Sequence, residues 1–338
     1  MHRPAYSGSA PSASNIFSAK DRSTFMPKKP KEPELIPVVS PESPLVPNAK
    51  LRQIYTMMLH AHLFAERFCA LAAEGRVSAA LHPAPSEEAL LAATSVDLRA
   101  GDTLCVARQD WLAAMLKGSA VTLLARYLLA STSSRPRSFR DATHHVAALS
   151  SDLEAHPSSA IEAALNHKRK KGSLAILYTN GGASIDAWEK ALQLAGRRRL
   201  PLLMVCRTPA IHTPSEAIPR DGSLESLAQA SGIPHILVDG SDALAVYRVA
   251  QEANGRARRG IGATLIECQT ENSAPISAAT KPSVSLHPIA GMERHLAAKG
   301  IFTPEWKEDM QATFTRQLNT AFAAATARSS GKTVTTSR

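Results

Sequence analysis

Few side chains in this sequence have the types and spacing that chemistry requires. His144 and His145 are adjacent in a predicted loop, where a histidine can transfer protons, although most loop histidines are simply exposed to solvent. Asn180-Gly181-Gly182 follows an apolar run, and such a sequence favours a turn between a strand and a helix. The four cysteines form no C-x-x-C pair and no metal-ligand spacing, so we expect free thiols in a reducing, cytoplasmic compartment.

Regular elements must position these residues, and the second half of the chain shows a clear alternation. Apolar runs typical of buried strands alternate there with amphipathic segments typical of helices. This alternation predicts an α/β fold, a mostly parallel sheet with helices on both faces. Strands are predicted at 103–107, 174–178, 200–206, 236–238 and 264–268, and helices at 51–74, 86–96 with Ser86 as N-cap, 111–117, 183–195, 223–230, 243–258 and within 288–327.

Composition divides the chain into a central body and two tails. Residues 1–48 are rich in proline, serine and lysine, and prolines this dense prevent helices and central strands. We therefore predict a disordered tail over 1–48, one domain over 49–327 and a polar, disordered tail over 328–338.

Charge is unevenly distributed along the chain. Lys and Arg number 39 against 29 Asp and Glu, a formal net charge of +10, and the excess is concentrated at 167–171, 197–199 and 256–259. We interpret these runs as solvated helix ends and loops rather than a nucleic-acid surface, because no aromatic interleaving or nucleic-acid module accompanies them. No apolar run approaches the roughly 20 residues of a membrane span.

Several motifs carry a resemblance to a known family. Val238-Asp239-Gly240-Ser241-Asp242 is followed by a helical segment and by Thr264-Leu265-Ile266-Glu267. The chain from about 51 to 325 resembles the alpha subunit of thiamine-diphosphate-dependent 2-oxoacid dehydrogenases, in which a V-D-G-x-D turn, a helix and a T-L-I-E strand follow one another. Residues 51–65 are similar to that family's L-x-x-M-Y-x-x-M-x-x-x-R-x-F-E, and His287-Pro288-Ile289 is similar to its D-P-I.

The resemblance implies a thiamine-diphosphate-binding fold and oxidoreductase activity on a 2-oxoacid such as pyruvate or a branched-chain 2-oxoacid. It also implies thiamine diphosphate with Mg²⁺ as cofactors and a beta subunit as partner in a heterotetramer, with self-association as the other possibility.

Most of the cofactor positions that the resemblance implies carry different residues here. The family's G-D-G motif aligns with Thr179-Asn180-Gly181, so a neutral amide at Asn180 replaces the carboxylate ligand of the metal, and Gly182 follows. Its ligand asparagine falls on Pro209, beside Thr208, or on Arg207 in a shifted register. Its Y-R pair aligns with Arg108-Gln109, and in a strand this displacement would turn Arg108 to the opposite face.

The family's histidines are also replaced. One aligns with Trp111, and the histidine of the T-Y-R-x-x-G-H-S loop aligns with Ile276, which cannot move a proton. Only His144 or His145, which could match an S-M-H element, remain as candidate catalytic residues. Glu88 matches the glutamate of G-Q-E-A, and we interpret it as a first-turn charge on a helix.

Two functions follow from this pattern. The first is a catalytically impaired alpha-subunit-like protein, a pseudoenzyme or scaffold, which the joint loss of metal, arginine and histidine positions favours. The alternative is an active oxidoreductase subunit that decarboxylates a 2-oxoacid together with a beta subunit, using Asn180, Arg108 and His144 or His145 in place of the lost contacts.

Overall fold

A six-stranded parallel sheet organises the described part of the chain. The computed structural model describes residues 46–330 apart from 85, 133–138, 149–151, 170–171, 181, 210–222 and 271–286, so the predicted tail up to residue 45 lies outside it. The strand order is β2-β1-β3-β4-β6-β5, which confirms the predicted α/β architecture. The strands are β1 (Thr103–Val106), β2 (Val146–Ala148), β3 (Ala175–Thr179), β4 (Leu202–Pro209), β5 (His235–Asp239) and β6 (Thr264–Thr270).

Helices cover both faces of the sheet unequally. One apolar cluster joins α1, α2, α3, α4, α8, α9 and α10 to one face, and a second joins α5, α6 and α7 to the other. Because both faces are covered, β3 and its neighbours are apolar at nearly every position. The helices are α1 (Asn48–Ala73), α2 (Glu88–Ser95), α3 (Trp111–Leu116), α4 (Val121–Leu129), α5 (Ala155–Lys168), α6 (Ile185–Arg198), α7 (Leu224–Ala230), α8 (Ala243–Arg258), α9 (Pro288–Ala298) and α10 (Pro304–Ser330).

Some boundaries differ from those expected. Helix α2 begins at Glu88, because Ser86, the predicted N-cap, has a left-handed φ of 59° and Glu87 takes the cap position. Helix α10 runs to Ser330, beyond the predicted end of the body at 327. Elements α4, β2 and α5 were not predicted; β2 is only three residues long, and α5 contains Pro157 and has little amphipathic pattern.

The amino ends of the strands meet a buried ion pair. Arg258, in the last turn of α8, donates to both carboxylate oxygens of Asp102, at 2.9 and 2.6 Å. Asp102 is fully buried and also accepts from the backbone amides of Arg99 and Leu174. Arg258 donates further to the carbonyl oxygen of Gly172, at 2.7 Å. Both terminal nitrogens of Arg258 and both oxygens of Asp102 are therefore hydrogen-bonded.

The basic runs lie mainly at helix carboxyl ends. Basic residues occupy the last turns of α5, α6 and α8, where the helix dipole favours positive charge. The Lys168 ammonium group also contacts the carbonyl oxygen of Arg198. This placement supports the interpretation of these runs as helix ends.

Within the described ranges, no helix combines the length and the apolar character that crossing a bilayer requires.

Candidate functional site

A buried arginine dominates the carboxyl ends of the strands. Arg207 lies in β4 with 8% of its surface exposed. Its Nη1 atom contacts Oε1 of Glu87 and lies 2.7 Å from Oδ1 of Asp110. Glu87 immediately precedes α2 and Asp110 immediately precedes α3, and both are buried. One guanidinium group therefore joins β4 to the starts of two helices.

Burial and charge act in opposite directions within this trio. Burial raises the pKa of Glu87 above the ordinary carboxyl range, although Arg207 acts to lower it. Burial disfavours the charged form of Arg207, but Asp110 and Glu87 outweigh burial and raise its pKa. The guanidinium is thus held in its charged form, and its charge is matched by side chains of the same protein.

The turn after β3 contains the predicted metal position. The last registered pair between β3 and β4 is Thr179 with Cys206, so Asn180 and Arg207 follow as neighbours at the carboxyl ends of the two central strands. Asn180 is exposed, and its Oδ1 atom accepts a hydrogen bond from the backbone amide of Gly182 at 3.2 Å. Its amide oxygen therefore closes its own turn, as predicted for this sequence. Gly181 lies outside the described residues.

Gly182, at the end of this turn, packs closely against its neighbours. A Cβ atom at Gly182 would lie 2.8 Å from the Leu153 side chain and 3.1 Å from Oδ1 of Asn180. The turn is therefore packed tightly against the segment that precedes α5.

The amino end of α6 already has an acidic partner. A helix start of this kind can bind a phosphate group through free backbone amides. Here Glu154 accepts from the Ser184 amide at 2.8 Å and from the Ser184 hydroxyl at 2.6 Å, while the Ser184 hydroxyl accepts from the Ala187 amide. A carboxylate and a serine cap thus occupy two of the backbone amides that an anion would use.

Arg108 and Gln109 lie in a turn, half-buried, between β1 and α3. Strand β1 ends at Val106, so the expectation that alternation in a strand turns Arg108 to the opposite face is wrong. Trp111 fills the position that the family gives to a histidine. It is buried, and its Nε1 atom donates to the carbonyl oxygen of Leu81 at 2.9 Å, so it belongs to the core.

His144 and His145 lie at the amino ends of the strands, opposite the carboxyl ends that carry Arg207 and Asn180. They immediately precede β2, and the carbonyl oxygen of His145 accepts from the amide of Leu104 near the amino end of β1. His144 Nδ1 lies 2.7 Å from Oδ2 of buried Asp141, which also accepts from the Ser119 hydroxyl at 2.8 Å. The structure therefore does not bring these histidines together with Arg108 or Asn180, and a catalytic role for them stays a prediction.

Sequence reasoning did not identify Glu87 and Asp110 as members of the site. Both residues are at helix starts, where acidic side chains are common without any ligand, so their positions in the sequence did not indicate a site. The only signal was the arginine in an apolar strand, because a charge there demands buried partners.

The residues present do not fit magnesium and a diphosphate group. Mg²⁺ requires hard oxygen ligands, usually with a carboxylate. Near the turn after β3, Asn180 supplies an amide oxygen that accepts a hydrogen bond within that turn, and Arg207 supplies a positive charge. The sequence has proline, without a side-chain oxygen, at position 209. The predicted histidine loop, including Ile276, lies outside the described residues.

Comparisons with known proteins agree with this architecture. The sequence model of the Dehydrogenase E1 component family matches residues 55–275. The chain is 40% identical over 111 residues to the pyruvate dehydrogenase E1 component subunit alpha of Staphylococcus aureus strain Mu50, covering 32% of this chain and 30% of that protein. It is 33% identical over 162 residues to the protein of the same name from Staphylococcus epidermidis strain RP62A, covering 43% of this chain and 42% of that protein. These matches span less than half the length of the curated relatives. The chain belongs to the dehydrogenase E1 component family and is a 2-oxoacid dehydrogenase alpha-subunit-like protein.

Proposed function

We propose that this protein is a non-catalytic member of its family, which keeps the alpha-subunit fold without thiamine-diphosphate-dependent turnover. The observation that carries the proposal is the Glu87–Arg207–Asp110 cluster. At the carboxyl ends of the central strands, where α/β sheets bind ligands, the protein has its own cation already paired with two carboxylates.

Two neighbouring features support the same conclusion. Asn180 uses its side-chain oxygen within its own turn, and Glu154 places a negative charge at the start of α6, where a diphosphate would need the backbone amides. Loss of the metal ligand and of the anion-binding helix start together disfavours the alternative, an active subunit that decarboxylates a 2-oxoacid.

As a non-catalytic subunit, the protein would act through association. The related chains are named as alpha subunits, and we propose a beta-type chain as partner in a heterotetramer, with self-association as the other arrangement. Cys69, Cys105, Cys206 and Cys268 are free thiols, which supports a reducing, cytoplasmic location.

Cofactor-dependent stabilisation tests the proposal directly. The thermal midpoint of the purified chain, alone and with a beta-type partner, is measured with and without millimolar thiamine diphosphate and Mg²⁺. A ligand at 100 times its Kd stabilises a native protein by about 2.7 kcal/mol, which for a chain of this size is a shift of roughly 5 °C. We expect no shift, because the native state lacks the ligand set.

An alpha subunit that carries the family's G-D-G motif and its ligand asparagine serves as positive control under the same conditions. A reproducible, Mg²⁺-dependent shift of this chain, or release of CO₂ from a 2-oxoacid in the presence of the partner, would establish the active alternative instead.

A further inference from the structure

Two histidines and a glutamate from three separate elements converge on one point. Their side chains come from α1, from the first residue of α2 and from the residue before α9, and one ligand atom of each lies within 4.8 Å of the others. The three residues are His62, Glu88 and His287. The alpha-subunit pattern given above has arginine and aspartate at the two histidine positions, so this ligand set does not belong to that pattern.

Glu88 is buried, and this distinguishes the cluster from a chance approach of surface side chains. Only 7% of its side chain is exposed, and its Oε1 atom makes no hydrogen bond to any residue that the structure describes. That oxygen lies 3.4 Å from Nε2 of His287 and 3.9 Å from Nδ1 of His62. A buried carboxylate oxygen without a donor is costly, and the atoms that face it are two further metal-ligand atoms. We propose that His62, Glu88 and His287 bind a divalent transition-metal ion of the zinc class.

The distances suit a tetrahedral site. Two ligands that are each about 2.0–2.1 Å from zinc lie about 3.3 Å apart in a tetrahedron. The separation between Glu88 and His287, 3.4 Å, is close to this value, whereas the 3.9 Å between Glu88 and His62 must shorten by about half an ångström. The three ligand atoms as a set lie within 4.8 Å of one another, so rotations of the two histidine side chains must draw them together around an ion. Two imidazole nitrogens and one carboxylate suit zinc, whereas Mg²⁺ prefers oxygen ligands alone. The site is therefore chemically distinct from the magnesium position of the family.

The surroundings of His62 fit a ligand role. Its Nε2 atom lies 3.3 Å from Oε1 of Glu66, one turn further along α1, while Nδ1 faces Glu88. A carboxylate on the second ring nitrogen orients metal-binding histidines and makes them more basic. His287 is 46% exposed at its side chain, which gives an ion access to the site and leaves a fourth position for water.

Metal titration of the full chain tests this proposal without any cofactor, so its outcome is independent of whether the protein is catalytic. The chain is treated with a chelator, exchanged into metal-free buffer and titrated with Zn²⁺ by calorimetry and with Co²⁺ by visible absorption. We expect one ion per chain and the absorption bands of tetrahedral cobalt. H287A, which changes an exposed side chain, and H62A are each expected to weaken binding at least tenfold, and E88Q is expected to do the same by removing the ligand charge.

Two variants serve as matched controls. H295A changes a partly exposed histidine within α9. H82A removes the partner of Cys69, whose sulfur lies 3.3 Å from Nε2 of His82 and offers a competing soft site. Both are expected to bind the ion as the unchanged chain does. The proposal is overturned if micromolar Zn²⁺ shows no saturable binding, or if the affinity is unchanged in folded H287A or is lost in H82A.

Discussion

The amino and carboxyl ends of the strands each hold an arginine, and the two arginines are paired in different ways. At the amino ends of the strands, here called the amino edge, Arg258 contacts one carboxylate, Asp102, through two parallel hydrogen bonds. Asp102 also accepts from the Leu174 amide, and Arg258 donates to the Gly172 carbonyl oxygen. At the carboxyl ends of the strands, here called the carboxyl edge, a single nitrogen of Arg207 faces two acidic side chains, Glu87 and Asp110. Neither oxygen of Asp110 makes a well-aligned hydrogen bond within the described residues.

The difference separates a bidentate ion pair from a cluster in which two acidic groups share one guanidinium nitrogen. A complete, bidentate pair orders the segments that it joins. Two acidic groups around one cation resemble the charge arrangement of a metal site, with a guanidinium group in place of the ion. In this protein, Glu87, Arg207 and Asp110 are all buried, so this charge arrangement belongs to the protein interior.

Removing each arginine should give the largest effect and sharpen this contrast. Arg207→Met removes the counter-charge that two buried acidic side chains share, and breaking a buried pair costs about 3–5 kcal/mol of unfolding free energy. Arg258→Met should fall at the lower end of that range, because Asp102 keeps the amides of Arg99 and Leu174 as donors. Urea unfolding at neutral pH measures both values.

Arg76→Met is the surface control for this pair of variants. Arg76 is exposed and its contact with Glu74 is at the surface, so we expect a change within about 0.5 kcal/mol. A larger loss for Arg258→Met than for Arg207→Met would remove the distinction between the two edges.

A second carboxylate at the amino edge should give an intermediate effect. Asp141 accepts from the Ser119 hydroxyl and from the amide of Thr143, and faces His144 Nδ1. Asp141→Asn replaces one accepting oxygen by an NH₂ group, and we expect a loss of about 1–3 kcal/mol in unfolding free energy. Asp309→Asn, at an exposed position of α10, is the matched control and should be neutral. Equal stability of the two variants would show that the Asp141 hydrogen bonds add nothing.

The pH dependence of the Asp141 variant should give the smallest effect. Burial tends to raise the pKa of Asp141, but hydrogen bonds from Ser119 and His144 outweigh burial and lower it. A carboxyl group with a lowered native pKa adds stability above its unfolded pKa of about 3.9, and that stability is lost as pH falls through the native value. The stability difference between the unchanged chain and Asp141→Asn should therefore shrink below about pH 4. Unfolding curves from pH 7 to 3 measure it, and a constant difference would contradict the assignment.

The fold was predictable wherever local pattern and burial agree. The helix at 243–258 was predicted with its full extent, and in the structure Asp242 caps its start by accepting from the amides of Leu244 and Ala245. The strand β2 was missed because three residues carry no readable alternation. The N-cap at Ser86 was wrong because a left-handed φ cannot be read from a serine that precedes two glutamates.

From the sequence, the replacement of the family's ligand residues could be predicted, but not the contacts that the site makes instead. Aligned positions indicated that the metal carboxylate was gone, and the turn at Asn180 was read correctly from its glycine-rich sequence. The pairing of Glu87 with Arg207 joins residues 120 positions apart, and no local pattern specifies such a partner. His62, Glu88 and His287 are likewise brought together only by the packing of three helices.

The guanidinium group of Arg258 has a further consequence, which concerns the order of folding. It connects groups 86, 156 and 161 residues away along the chain, so both ends of a long loop must meet before any of its bonds can form. We expect these hydrogen bonds to form late, after the strands on either side have assembled. Their loss should accelerate unfolding and leave the rate of folding almost unchanged.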